Sequence, residues 1–437
     1  MNFFRKILEK KLRILARAIL KKYHPDIIGI TGSVGKTSTK EAIYTVLKSK
    51  FTVRKNIKNY NNEIGVPLTI IGSESGNKSI FSWMLIFLKA AGLILFKDGR
   101  YPKILVIEMG ADRPGDIAYL VKMAPCKIGV ITAIGSAGPV HLEFFGKVEN
   151  VVKEKSEIIR HLAPEGFALL NHDDQYVHPL KEKTKAKVIS FGFSKEADIW
   201  ASELVVSERL KMENSQPISG ISFKINYGGN MVPIFLPGVL GRHQAYAALA
   251  AAAVGVIYNF NLVEVAESLK EFKSPPGRMN LIPGIKNTMI IDDSYNSSPV
   301  AALAALQVLA SINLAGAHNK YAVLGDMSEL GSYTEKGHAE VGQYVARAAD
   351  VLITVGEKGK MIAEAARQHS MLSDRVFEFA DSQEAGLFLQ ERIEEGDLIL
   401  VKGSQSVRME KIVKELMAEP LKAKQLLVRQ DEAWQNK

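Results

Sequence analysis

Cysteine is all but missing from this chain of 437 residues: Cys126 stands alone. A single thiol excludes an intramolecular disulfide and any cysteine-rich zinc site. The start is not expected to be a secretory leader, because no uninterrupted apolar run of roughly 7–15 residues follows its basic residues. No internal repeat or low-complexity stretch is present. With 47% hydrophobic and 24% charged residues, the composition is globular and excludes a disordered or collagen-like chain. The length points to two or three domains. Most of the chain also lacks net charge. The total is +9, but residues 1–25 carry eight Lys/Arg against one Glu, which leaves the body close to neutral. That excludes a body-wide nucleic-acid footprint, and no nucleic-acid partner is expected.

The charged segment, residues 1–25, reads as a basic amphipathic helix. Phe4, Leu8, Leu12, Leu15, Ile19 and Tyr23 recur at spacings of three and four, and Ile7, Ile14 and Ala18 widen the stripe. Arg5, Lys6, Lys10, Arg13, Arg17 and Lys21 fall mostly opposite. Such a helix either packs on the next domain and solvates its charges, or lies in a membrane interface with its cations near anionic lipid. A second stretch, residues 80–96 within an apolar segment of about 72–102, is almost wholly apolar around Lys89. It lies at the short end of a membrane span and carries a lysine mid-run, so a true crossing is not expected. A buried core helix and an interfacial or re-entrant piece both stay open. In the second case residues 1–24 and 80–96 form one membrane-facing surface.

Elsewhere β-like and α-like segments alternate, the pattern of an α/β fold. Residues 27–31, 104–108 and 128–132 are apolar runs suited to a buried parallel sheet. Shorter strands are expected at 167–170, 187–191, 219–227 and 231–236, the last two flanking a Gly228-Gly229 hairpin turn, with an Ala-rich helix over 243–258. Pro275-Pro276-Gly277 marks a linker, since neither proline can continue a helix. Beyond it the alternation restarts, with strands near 288–292, 321–324, 351–355 and 397–401. The expected division is therefore 1–25, 26–276 and 277–437.

Gly32-Ser33-Val34-Gly35-Lys36-Thr37-Ser38 follows a predicted strand and opens a predicted helix. Its glycines allow a loop whose N–H groups point at phosphates, Lys36 can balance phosphate charge, and the Thr37 hydroxyl is placed for Mg²⁺. Ile30 stands where the longer form of this loop has glycine, so it is a short variant. Glu108 ends an apolar strand, and His141 follows another in a Gly/Pro-rich loop. If the strands are parallel, both emerge at the carboxyl edge where the phosphate loop lies, which favours a magnesium site. The fold expected is α/β: a central P-loop parallel-sheet ATPase domain, then a C-terminal Rossmann-like α/β domain.

These residues resemble the Mur ligase family, ATP-dependent amide-forming enzymes of peptidoglycan precursor synthesis. Besides the phosphate loop, the resemblance rests on Asn61–Thr69, Glu108–Ala111, His141–Glu143 with Phe145-Gly146, and Lys155–Ile158. It continues through Gly277–Asn280, Asp292–Pro299, Leu324–Met327 and Lys402–Ser404 with Arg408–Glu410, in order, from about residue 27 to 418. The last domain's stretches look most like members that add D-alanyl-D-alanine to a muramyl-tripeptide acceptor. The resemblance implies an ADP-forming ligase: ATP phosphorylates the acceptor carboxylate, and the dipeptide amine attacks the acyl phosphate. It implies catalytic roles for Lys36, His141 and Lys155, and Mg²⁺ held by Thr37, Glu108 and His141. Lys155, carbamylated in several relatives, joins that metal set. Nucleotide contacts are implied for Gly32 to Ser38, His243, Gln244 (where relatives usually have Asn), Arg278, Asn280, Asp293, Tyr295 and Asn296. Substrate contacts are implied for Asn61, Asn62, Asp326 and Lys402.

The family usually has a UDP-binding domain before the phosphate loop. Fewer than thirty residues precede Ile27, so the sequence reads as lacking it. The expected setting is cytoplasmic, with a peripheral contact at the inner membrane face if the two helices are interfacial. A related folylpolyglutamate-type ligase with another acceptor, and a non-catalytic membrane-associated scaffold, are the alternatives.

Overall fold

Apolar runs bounded by loops form the strands, and stretches with three-to-four spacing form the helices that cover them. The computed structural model describes residues 3–57, 60–135, 145, 147–207, 212–213, 216–217, 219–314, 318–431 and 434. The chain opens with helix α1 (Phe3–Tyr23), β1 (Asp26–Thr31), α2 (Lys36–Leu47), β2 (Val53–Lys55), α3 (Gly65–Ile71) and α4 (Ile80–Leu95). Then come β3 (Ile104–Glu108), α5 (Asp116–Met123), β4 (Ile128–Ile131), the helix Val148–Arg160, β5 (Phe167–Asn171), β6 (Lys187–Gly192) and β7 (Ile199–Val206). A two-stranded pair, β8 (Met212–Glu213) and β9 (Gln216–Pro217), precedes β10 (Gly220–Tyr227) and β11 (Asn230–Pro237). Nine strands make one sheet in the order β11-β10-β7-β6-β5-β4-β1-β3-β2. Its strands run parallel from β2 to β7, and β10 and β11 are antiparallel. Gly228 and Gly229, both at positive φ, make the β10–β11 turn.

Alternation within β1 sends its side chains to two separate cores. Ile28 and Ile30 join α2 and the Ala-rich helix His243–Ile257, whose small side chains let it lie close against α2. Ile27 faces the other core, built with α1, α3, α4, α5 and Val148–Arg160.

After the helix Leu262–Leu269 the chain passes Pro275-Pro276-Gly277 and enters a second sheet. It comprises β12 (Asn280–Pro283), β13 (Met289–Asp293), β14 (Lys320–Gly325), β15 (Val351–Val355), β16 (Val376–Phe379) and β17 (Leu398–Lys402). The order is β12-β13-β17-β14-β15-β16, parallel except at β12–β13. Both sheets have helices on their faces, so the expected α/β class is the class observed.

The two unusual helices differ in detail from expectation. In α1, Leu12, Ala16 and Ile19 are buried, whereas Ile7 and Ile14 stand exposed among the lysines. The buried stripe is therefore narrower than the run of apolar residues in the sequence. In α4 only Ile86, Ala90 and Leu93 are buried, so it is not a core helix. Among the described residues no helix is long and apolar enough to cross a membrane.

Candidate active site

The first β-to-α turn sets the site. Gly32 has φ +147°, and a Cβ there would lie 2.0 Å from the Thr132 hydroxyl; Gly35 has φ +87°. Only glycine meets both demands without displacing its neighbours. The loop is tied to the end of β4: the Ser33 and Val34 N–H groups donate to the Ala133 carbonyl at 2.6 and 3.4 Å, and the Thr132 hydroxyl donates to the Val34 carbonyl at 2.6 Å. Lys36 curls over the loop and donates to the Gly32 carbonyl at 2.8 Å and the Ser33 carbonyl at 3.3 Å. Ser38 is buried in the first turn of α2.

Register brings Glu108 to the same edge, since Ile30 pairs with Glu108 and Thr31 with Ile131. The Thr37 hydroxyl donates to Glu108 Oε2 at 3.0 Å, and Asn61 Nδ2 donates to Oε1 at 3.2 Å. Arg278, reaching from the linker, donates to the Thr37 hydroxyl at 3.5 Å and lies 4.2 Å above the Tyr295 ring. Lys155 projects from Val148–Arg160 and donates to the Gly32 carbonyl at 3.0 Å. Four cations therefore gather here: Lys36, Lys155, Arg278 and Lys40, the last 3.9 Å from Glu108.

Their environment sets their protonation. Burial, with the Lys36 charge in support, pushes the Lys155 ammonium down to about 7. Burial likewise lowers Lys36, with Arg278 adding to it and Glu108 and Asp112 opposing. Burial works against the Glu108 carboxylate, but Lys40, Lys36, Arg278 and the Thr37 hydrogen bond outweigh it and hold the group below its usual range. Burial, helped by Lys402 and Arg278 against Asp293, pushes His243 down to about 4, so its ring is neutral at physiological pH.

A cleft of about 1560 Å³ opens over these groups, walled by both sheets' loops. Ser33, Val34, Gly35, Lys36, Ser38, Asn61, Asn62, Glu108 and Lys155 line it from one side. His243, Arg278, Asp293, Tyr295, Asn296 and Lys402 complete the set of expected residues that reach it. Lys402 and Asp293 are in register on β17 and β13 and form an ion pair at 2.5 Å; Lys402 also donates to the Asn296 carbonyl at 3.0 Å. Asn62 uses its side-chain oxygen to accept from the Ile64 and Gly65 N–H groups, capping α3.

Three expected contacts are placed elsewhere. Gln244 is fully buried and donates to the Ser274 hydroxyl and the Arg278 carbonyl at 2.8 and 3.2 Å, so its amide braces the linker. Asn280 does likewise, donating to the Pro275 carbonyl at 2.7 Å. Asp326 accepts from the Gly359 N–H at 2.8 Å, at the start of the helix Gly359–Gln368, and does not line the cleft. His141 lies outside the described residues. Among the described residues no cluster of three His, Cys, Asp or Glu would hold a metal. Thr37 and Glu108 nonetheless supply a hydroxyl and a carboxylate side by side, the hard oxygen donors that suit Mg²⁺.

Sequence reasoning assigned no role to three supports. Asn56 clamps Glu108, accepting from its N–H at 2.9 Å and donating to its carbonyl at 3.2 Å. Lys40 lies one helical turn beyond Lys36, a spacing that places both on one face. Glu410, buried, accepts from Arg408 and Arg429, and Arg429 also donates to the Ser294 carbonyl behind Tyr295. Spacing signals Lys40; nothing local in the sequence signals Asn56 or Arg429.

A phosphate loop at the carboxyl edge of a parallel sheet, facing a second α/β unit across a cleft, defines a nucleotide-using enzyme of the P-loop class. Comparison with known families sharpens the class. The Mur ligase middle domain matches residues 30–81 and 93–255, and the Mur ligase glutamate ligase domain matches residues 277–405. The chain belongs to the Mur ligase family. It is 32% identical over 411 residues to UDP-N-acetylmuramoyl-tripeptide–D-alanyl-D-alanine ligase of Bacillus subtilis (strain 168), covering 94% of this chain and 80% of that one. The crystal structure of MurF from Acinetobacter baumannii superposes with a TM-score of 0.74 at 27% identity, covering 93% of this chain and 79% of that one. MurF ligase from Thermotoga maritima in complex with ADP gives a TM-score of 0.70 at 26% identity, covering 93% and 83%.

Proposed function

We propose that this chain is an ATP-dependent, ADP-forming ligase that joins D-alanyl-D-alanine to a muramyl-tripeptide in peptidoglycan precursor synthesis. The observation that carries the reading is the convergence of Lys36, Thr37, Glu108, Lys155 and Arg278 on one cleft edge, opposite Asp293 and Lys402.

The chemistry follows from what these groups can stabilise. An acceptor carboxylate oxygen attacks the γ-phosphorus, the bond to ADP breaks, and the resulting acyl phosphate has a good leaving group. The dipeptide amine then adds to the acyl carbon and loses a proton, and the tetrahedral intermediate collapses with loss of phosphate. Lys36 and Arg278 balance the charge of the transferring phosphoryl group, and the N–H groups at the start of α2 orient it. Thr37 and Glu108, with His141 and Lys155 as further members of the set, would hold Mg²⁺, which neutralises phosphate charge when bound. Lys155, with its ammonium pushed down to about 7, has a substantial neutral fraction near pH 7. A neutral amine is what carbamylation of the family type requires. His243, uncharged, and Asp293 and Tyr295 with Asn296 offer a surface for the nucleoside, and Lys402, paired with Asp293, faces the incoming dipeptide. We read the chain as a helix at 1–25, a central domain to 276 and a last domain beyond it, a reading supported by the second sheet beginning after the linker. The setting proposed is cytoplasmic, with a peripheral contact at the inner membrane face.

The test is phosphate release from ATP with and without D-alanyl-D-alanine, using UDP-linked and lipid-linked muramyl-tripeptides as acceptors. Dipeptide-dependent release is expected with at least one acceptor. Lys36→Ala is expected to lower the rate by at least about 100-fold. Absence of dipeptide stimulation with every muramyl-peptide would reject the reading, and stimulation by glutamate with a folate acceptor would favour a related ligase.

A further inference from the structure

Helix α4 carries a feature that the cleft does not use. Phe81, Met84, Leu85, Leu88, Leu95 and Phe96 are between 48% and 74% exposed, and together they form a stripe along and just beyond one helix. Scattered exposed apolar residues are ordinary, but a continuous stripe of this kind marks a contact surface. The residues matched by the Mur ligase middle domain break at 82–92, inside α4, and α1 lies before its first matched residue. Both helices pack on the middle domain's core, but α1 and part of α4 lie outside the residues that the family model matches.

The two helices are held together at one end. Lys22 donates to the carbonyls of Leu93, Ile94 and Phe96 at 2.9, 2.9 and 2.7 Å, and the Tyr23 hydroxyl lies 3.1 Å from those of Leu93 and Phe96. The last carbonyls of α4 are thereby satisfied by α1, and a cation sits at the negative end of the helix dipole. Tyr23 also stacks on Tyr101 at 4.1 Å. The apolar stripe therefore moves with the basic helix.

Charge selects the occupant. Residues 3–23 and 77–97 together contain eleven Lys/Arg and one acidic residue, Glu9. On α1 the exposed positions include Lys6, Lys10, Arg17 and Lys21, with Ile7 and Ile14 between them. Lys78 and Lys97 bracket α4 and are exposed. Lys89, the cation within the stripe, turns its ammonium back to the Gly72 carbonyl at the end of α3, leaving the stripe's apolar side chains outward. A second copy seated on this face would bring the same cations against one another. An anionic bilayer offers both complements: headgroup charge for the lysines and acyl chains for Phe and Leu. The stripe is about 24 Å long at 1.5 Å per residue, a length that lies along a surface and does not cross it.

We propose that α1 and α4 form a docking surface for the anionic face of a lipid bilayer, with α4 embedded at the level of the headgroups and the α1 cations beside it. The proposal holds whichever acceptor the cleft takes.

Co-sedimentation of the full chain with vesicles tests it, using phosphatidylcholine alone or mixed with phosphatidylglycerol. The chain is expected to pellet with the mixed vesicles and to be released by raised salt. Replacing Phe81, Leu85 and Leu88 together by serine is expected to weaken that partitioning more than about tenfold. These positions are exposed and outside the cleft, so thermal unfolding should be little altered. Lys6→Glu with Lys10→Glu and Lys21→Glu is expected to remove the preference for anionic lipid. Equal partitioning to both vesicle types, or unchanged binding by the serine variant, would overturn the proposal. So would a lipid-free dimer, seen by ultracentrifugation, that the serine substitutions abolish, since the occupant would then be a second copy.

Discussion

Glu108 is held in place from behind by Asn56, which does not line the cleft, as well as by two residues at its carboxylate. Asn56 grips its backbone from both sides, and Asn61 and Thr37 take one carboxylate oxygen each. Asn56→Ala leaves the carboxylate and its Thr37 and Asn61 partners present but releases the backbone that aims it. The expected result is a 10- to 100-fold loss of kcat/KM, roughly the cost of losing an orienting group behind a metal ligand. A raised Mg²⁺ requirement measured in the ligation assay would distinguish this from simple unfolding. Asp292, fully buried, accepts from the Gly277 and Ser294 N–H groups and anchors the linker. Burial, reinforced by Asp293, pushes its carboxyl up to about 6 against those hydrogen bonds. Between pH 3.8 and about 6 the folded chain then binds more protons than the unfolded one, so stability falls as pH rises through that window. The whole effect is about 3 kcal/mol. Asp292→Asn keeps the acceptor oxygen and removes the charge, so in urea unfolding the stability of the native chain relative to the variant should fall from pH 4 to pH 7; the difference cancels the slope of opposite sign from His243, which both chains share. The phosphate loop was legible because its residue types and its strand–helix setting are local. Asn56 and Arg429 were not, because their roles arise from neighbours brought in by the fold.

Elements follow the same division between local and tertiary information. The central strands β1, β3 and β4 are buried on both faces and read from sequence as continuous apolar runs. In the two large sheets four strands escaped the reading, β2, β7, β12 and β16, as did the two-residue strands β8 and β9. β2 has three residues and β12 four, and β2, β12 and β16 lie at sheet edges, where burial leaves little pattern. β7 is eight residues long, but Ser202 and Glu203 interrupt it near a register shift against β10. Helix α4 was visible as an apolar run, yet its hydropathy could not tell a core helix from a surface one. Its partner decides, and the partner is α1. Lys22→Met retains the aliphatic stem but withdraws the donor from three carbonyls at the end of α4. About 1 kcal/mol of local stability should be lost, seen by mass spectrometry as faster amide exchange in α4, with the exchange of β1 and β3 unchanged.

At the scale of the molecule, α1 joins two regions that the sequence separates. Its first turns reach the cleft, where Arg5 and Glu9 line the wall and Arg5 pairs with Glu63 beside Asn61 and Asn62. Its last residues hold α4. The two-sheet plan was legible from βα alternation restarting after Pro275-Pro276-Gly277, but this span from cleft to surface stripe was not, because it is a property of packing. It has a kinetic consequence if both the ligase reading and the docking surface hold. A bilayer seated on α1 and α4 lies beside the end of the cleft walled by Arg5 and Glu9, so an acceptor anchored in that bilayer reaches the cleft at high effective concentration. Vesicles of phosphatidylcholine and phosphatidylglycerol carrying lipid-linked muramyl-tripeptide should therefore raise kcat/KM at least about tenfold over the same acceptor in detergent. The UDP-linked acceptor, free in solution, should show no such gain from the same vesicles. The Phe81, Leu85 and Leu88 serine variant should lose the gain and keep its rate on the UDP-linked acceptor. Equal acceleration of both acceptors would show that the bilayer acts on the enzyme and does not deliver substrate, and the spatial argument would fail.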